Sequence, residues 1–140
     1  MKTVLEGTSV INYQEVPVDY FETIEFSGNW KIRIKPGRVC KVELEVKNDT
    51  LPKPSSENKD DKQTFIADSE SDVMHAKVTA PQLKRIIGAY KTEIYMQDYP
   101  SDSILIELRD SSLFTGKNNE IKNLSFKTSG NASIQVIKTL

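Results

Sequence analysis

An all-β fold is predicted by three features of the chain: segments that alternate apolar and polar residues, the shortness of those segments, and the Gly, Ser, Asn and Asp clusters between them. Trp30-Lys31-Ile32-Arg33-Ile34-Lys35 and Val42-Glu43-Leu44-Glu45-Val46-Lys47 repeat with period two, as half-buried strands do, and Pro36-Gly37 between them reads as a turn. Shorter pieces follow at Ile104–Leu108, Leu124–Lys127 and Ile134–Val136. Residues 51–63 (LPKPSSENKDDKQ) hold two prolines and no apolar residue after Leu51, and read as an exposed loop dividing two halves of a single domain over 1–140. One segment fits two templates. Leu83, Ile86, Ile87 and Tyr90 have helical spacing behind Pro81, whereas Gly88 weakens a helix.

Composition narrows the function classes. With 19 Lys and Arg against 20 Asp and Glu, the net charge is -1, so the concentrated basic surface that nucleic acid or anionic lipid requires is not expected. No apolar run reaches the roughly 18 residues of a membrane helix, and membrane insertion is not expected. One Cys (Cys40) and one His (His75) exclude an intramolecular disulfide and a zinc finger. Met1–Gly7 (MKTVLEG) lacks the pattern of a secretory signal.

A weak repeat runs through the chain. Ser27-Gly28-Asn29 and Ser129-Gly130-Asn131 are each followed by two variable residues and an apolar-x-apolar block. Apolar residues pair at an interval of eight as Ile24 with Ile32, Ile86 with Ile94, Leu105 with Leu113, and Phe126 with Ile134. The later blocks recur at about twenty residues, the length of a solenoid coil. Hairpins of a β-sandwich give similar spacing, so the pattern by itself leaves solenoid and sandwich open.

Phe21-Glu22-Thr23-Ile24-Glu25-Phe26-Ser27-Gly28, Ile32–Gly37, Val78-Thr79-Ala80-Pro81-Gln82-Leu83 and the Leu124–Val136 segment resemble the head GIN domain of putative autotransporter adhesins. The likeness covers about Tyr20 to Ile137. It implies a single-stranded right-handed β-helix of irregular short strands, an exported protein of Gram-negative bacteria at the cell surface or in the periplasm, and no established catalysis; any export signal would then be missing from the sequence given. It also favours strand over helix at Ala80-Pro81-Gln82-Leu83. Gly88-Ala89-Tyr90 and Asp110-Ser111-Ser112 depart from the family's small Ser-Gly-Ser corners, which leaves the coil register open.

No residue set predicts catalysis, and no cofactor is expected. Cys40, beside Val39 and Val42, reads as a buried inert thiol, and His75 as structural or surface. There is no Gly-x-Ser-x-Gly elbow and no phosphate-binding glycine loop. Asp68, Glu70 and Asp72 alternate and could face one side of a strand as oxygen ligands to calcium, although a polar edge explains the same residues. Asp98 and Asp102 around Tyr99-Pro100 read as a turn. Tyr90, Tyr95 and Tyr99 are the candidate binding aromatics, because exposed Tyr rings stack on sugars or fill protein pockets. Three functions stay in view: an adhesin-like module contacting protein or glycan at the envelope, a carbohydrate-active β-helix enzyme, and a scaffold polymerising end to end.

Overall fold

A computed structural model describes residues 12–47, 49, 53–68 and 72–138. Thirteen strands and no helix make up the described residues, arranged in two sheets. They are β1 (Tyr13–Val16), β2 (Thr23–Gly28), β3 (Trp30–Pro36), β4 (Lys41–Glu45), β5 (Ser55–Lys59), β6 (Lys62–Ile66), β7 (Met74–Ala80), β8 (Arg85–Tyr90), β9 (Glu93–Gln97), β10 (Pro100–Leu108), β11 (Leu113–Lys117), β12 (Glu120–Thr128) and β13 (Ser133–Ile137). The seven-stranded sheet runs β1-β4-β7-β3-β9-β11-β13 and the six-stranded sheet β12-β10-β8-β2-β6-β5.

Both sheets are mixed. Five strands of each, β7-β3-β9-β11-β13 and β12-β10-β8-β2-β6, pair in parallel, while β1, β4 and β5 add antiparallel edges. Neither sheet closes into a barrel. Along the chain β8, β10 and β12 enter one sheet and β9, β11 and β13 the other, so each strand pair contributes to both. The expected spacing of twenty residues appears in the ladders: Arg85, Leu105 and Ser125 stand abreast, as do Glu93, Leu113 and Ser133.

The core lies between the sheets. Ile24, Ile86, Ile106 and Phe126 align across one sheet and Ile32, Ile94, Phe114 and Ile134 across the other. One sequence expectation is thereby corrected by a residue: the third pair is Ile106 with Phe114, both fully buried, whereas Leu105 and Leu113 are half-buried on the opposite faces. Consecutive apolar residues defeat a period-two reading there, because either parity satisfies it. At one end Phe26, Trp30 and Phe65 cluster, with Phe26 edge-on to Trp30 at 4.8 Å and stacked on Phe65 at 5.3 Å between centroids. The indole N–H of Trp30 donates to the Ser27 carbonyl at 3.0 Å, which satisfies the one polar atom that this burial carries.

Two further readings meet the structure differently. Residues 55–66 are not a loop but the hairpin β5–β6, turned by Asp60 and Asp61 at φ 54° and 59°. Two consecutive positive φ values match the right-handed twist of paired strands, and Asp tolerates them because its short side chain bonds locally. The side chains of β5 are nevertheless exposed, as expected of that polar run. Of the segment with helical spacing, Ile86, Ile87 and Tyr90 lie in strand β8, whose backbone neighbouring strands satisfy on both sides, and Leu83 lies in the irregular stretch before it.

The corners explain how the non-glycine departures fit. Gly28 stands beside Tyr90 in the ladder, Ser111 N–H donates to the Tyr90 carbonyl, and Asn131 N–H donates to the Asp110 carbonyl. Gly28 (φ 126°), Tyr90 (φ 63°), Asp110 (φ 61°) and Gly130 (φ 69°) thus recur as positive-φ corners, and Asp98 and Asn118 (φ 56° and 53°) do the same between β9 and β10 and between β11 and β12.

Candidate functional site

The outer face of the seven-stranded sheet brings cations, tyrosine rings and a histidine side by side. On β3 the alternation buries Ile32 and Ile34 and leaves Lys31, Arg33 and Lys35 exposed. On β7 and β9 the same parity puts His75, Lys77 and Tyr95 on that face, between buried Ala76, Val78, Ile94 and Met96. Ladder register then sets Glu43, Lys77, Arg33, Tyr95 and Thr115 in one row across five strands. A second row holds His75, Lys31, Glu93 and Leu113.

The two rows border a shallow hollow of about 410 Å³, with Tyr13, Arg33, His75, Glu93 and Tyr95 on its walls. The Arg33 guanidinium lies 5.0 Å from the centre of the Tyr95 ring, and the Lys77 ammonium 4.1 Å from that of Tyr13. A ring face is electron-rich, so each cation is held without losing all its hydrogen-bonding donors. The Tyr95 hydroxyl meets Gln97 Oε1 at 3.0 Å. His75 Nδ1 lies 3.0 Å from Glu45 Oε1, which orients the imidazole. Burial, then the Glu45 carboxylate, pushes the Tyr13 phenol above its ordinary pKa, so this hydroxyl keeps its proton and can donate. The arrangement offers flat rings and fixed cations, the groups that stack on sugar rings or grip carboxylate and peptide groups.

The predicted aromatics separate. Tyr95 lines the hollow. Tyr90 is exposed at the corner between β8 and β9 and is not among the lining residues. Tyr99 is corrected outright: its side chain is fully buried, because its hydroxyl finds two backbone partners inside, Leu83 N–H at 2.9 Å and the Ala80 carbonyl at 2.8 Å. Asp68 and Asp72 are both exposed, and Glu70 lies outside the described residues. Among the described residues no three His, Cys, Asp or Glu side chains converge as a metal set. Cys40 exchanges weak 3.4 Å hydrogen bonds with the backbone of Phe21, and burial pushes its thiol pKa up, which fits the inert reading.

Arg33, Lys31 and Tyr13 escaped notice in the sequence. The signal for the first two was present, since Lys31-x-Arg33-x-Lys35 is the outward half of a predicted strand. Tyr13 joins them only through β1 pairing with β4.

The fold defines the class: an all-β protein of two mixed sheets without a closed barrel. The chain belongs to the family described as putative auto-transporter adhesin, head GIN domain, whose model matches residues 20–138. Solved structures share the fold. A putative adhesin from Parabacteroides merdae ATCC 43184 matches with a TM-score of 0.72 at 18% identity, over 93% of this chain and 57% of that one. A putative adhesin from Parabacteroides distasonis ATCC 8503 matches with 0.62 at 17%, over 93% and 58%. A putative lipid binding protein from the same strain matches with 0.67 at 12%, over 95% and 68%. The chain thus spans less than two thirds of the length of the two adhesins. Among curated proteins none matches.

Proposed function

We propose that this chain is a non-enzymatic, exported module of the cell surface or periplasm that binds protein or glycan through the Tyr95–Arg33 face. The observation that carries this reading is the Arg33 guanidinium held over Tyr95 at 5.0 Å beside the hollow, a preformed stacking and ion-pairing surface on rigid strands. Family membership supports the adhesin-like class and the exported location. In the architecture we infer, the paired strands are coils of a right-handed β-helix over 1–140, supported by the twenty-residue parallel ladders; two sheets facing one core are equally the layout of a sandwich.

A polysaccharide-cleaving enzyme would need acidic groups converging beside basic ones. On this face Glu45 is instead paired with His75 and Lys47, and Glu43 with Lys41, which leaves Glu93 as the one acid among the residues lining the hollow.

The test is an array of glycans and extracellular matrix proteins probed with the intact chain, Tyr95→Ala and Arg33→Ala. Binding by the parent that falls about tenfold or more in both variants, with Trp30 fluorescence unchanged, is the expected result. Equal binding by parent and variants would overturn the assignment to this face. Protease shaving of intact cells tests display.

A further inference from the structure

The two ends of the sheet pair are finished differently. At one end the outermost strands are β1 and β5, which run antiparallel to their neighbours, and β5 is the wholly polar segment Ser-Ser-Glu-Asn-Lys. At the other end β12 and β13 add in parallel, and no described strand pairs with their outer edges. Their inward positions are bare: Phe126 and Ile134 are each 37% exposed and Val136 is 58% exposed. In the strands beneath, Ile104, Ile106 and Phe114, which align with Leu124, Phe126 and Ile134, are 0–1% exposed. The β12–β13 pair therefore presents a core face together with two backbone edges that no described strand pairs. Soluble proteins cover such an edge or break it with charge, because it templates further pairing.

We propose that a second copy of this chain covers this end, β12 on β12 and β13 on β13, in a closed two-fold dimer. The register of the two strands supplies the argument. Phe126 touches Phe114 at 6.0 Å between ring centres, and Phe114 aligns with Ile134, so Phe126 and Ile134 share a level. The short turn at 129–132 reverses the chain, which brings Ser125 level with Gln135 and Leu124 with Val136. One two-fold axis through Ser125 and Gln135 then sets Leu124 opposite Phe126 of the other copy on one sheet, and Ile134 opposite Val136 on the other. Apolar residues meet apolar residues on both sheets at once. Charge agrees, since Lys122 comes opposite Thr128 and Lys127 opposite Asn123, and no like charges face each other. The polar antiparallel edge β5 at the far end has no matching apolar face, so contact head to tail is disfavoured and the assembly stops at two.

The experiment is light scattering and sedimentation of the intact chain across a dilution series, with Val136→Asp and Ser125→Cys. The expected result is a mass of two chains that dissociates on dilution. Val136→Asp, at an exposed position, should weaken association about tenfold or more with Trp30 fluorescence unchanged. Ser125 lies on the axis and meets itself, so Ser125→Cys should form a bond between copies under oxidation, mapped to position 125 by mass spectrometry. A monomer at every concentration, filaments, or a dimer indifferent to Val136→Asp and uncrosslinked in Ser125→Cys would each overturn the proposal.

Discussion

The hydroxyl of Tyr99 donates to the carbonyl of Ala80 at 2.8 Å, tying the corner before β10 to the end of β7 across the core. The same oxygen accepts the Leu83 N–H at 2.9 Å. A phenol is thus standing in for two missing ladder partners where the chain leaves one sheet for the other.

Tyr99→Phe should therefore cost about 1–3 kcal/mol, because it keeps the ring and orphans a buried N–H and a buried carbonyl. Urea denaturation followed by Trp30 fluorescence measures it. A loss below about 0.5 kcal/mol would mean that water replaces the hydroxyl.

Alkaline stability follows from the same burial. Burial pushes the Tyr99 phenol from 10.0 up to about 12. The unfolded chain gives up this proton near 10 and the folded chain holds it to about 12, so the Tyr99 contribution is complete below pH 10 and declines between 10 and 12. Tyr20, bonded to Glu22 at 2.6 Å, is raised to about 12 as well and acts in the same direction. Unfolding midpoints from pH 9 to 12 should fall less steeply in Tyr99→Phe than in the parent, with the slope from Tyr20 remaining.

The positive-φ corners predict opposite effects at equivalent positions. At Gly28, φ of 126° suits only glycine, and an added Cβ would stand 2.5 Å from the Ala67 carbonyl oxygen, so Gly28→Ala should lose more than about 2 kcal/mol. Tyr90, at φ 63°, bears a strain of roughly 1–2 kcal/mol that glycine would relieve at some entropic cost. Tyr90→Gly should stabilise by about 0.5–1 kcal/mol in the same urea experiment.

Glu107 is 5% exposed on the outer side of the six-stranded sheet, gripped by Arg85 at 2.7 and 2.8 Å, with Arg109 at 3.7 Å. Arg85→Met would leave a buried carboxylate with one distant partner, and we expect a loss of about 2–3 kcal/mol. Adding Glu107→Gln should recover part of it. A double variant no more stable than Arg85→Met would show that the loss came from packing of the Arg85 stem.

Much of the fold was legible along the chain. The strands at Trp30–Lys35 and Ile134–Val136 were visible as alternation, and the twenty-residue recurrence anticipated which of the later strands stand abreast. The corners were harder to read. Tyr90 and Asp110 occupy the place of a glycine, and no residue preference predicts an aromatic at positive φ; neighbouring ladders hold it there.

Residues 55–59 read as a loop because nothing in Ser-Ser-Glu-Asn-Lys asks for a strand, and only the edge of β6, supplying backbone partners, makes one.

The alternating pattern by itself determined that this chain forms a sheet protein with Lys31 and Arg33 on outward positions, since parity along a strand is local. Which strands adjoin was left to the tertiary structure: β3 lies between β7 and β9, both distant from it in the chain, and that placement alone brings Arg33 onto Tyr95. The same distinction separates Tyr95 from Tyr99. Both follow apolar or acidic neighbours in similar strings, but hydrogen bonds to Ala80 and Leu83 draw one ring inside, and such partners are distant in sequence and adjacent only once the sheets have packed.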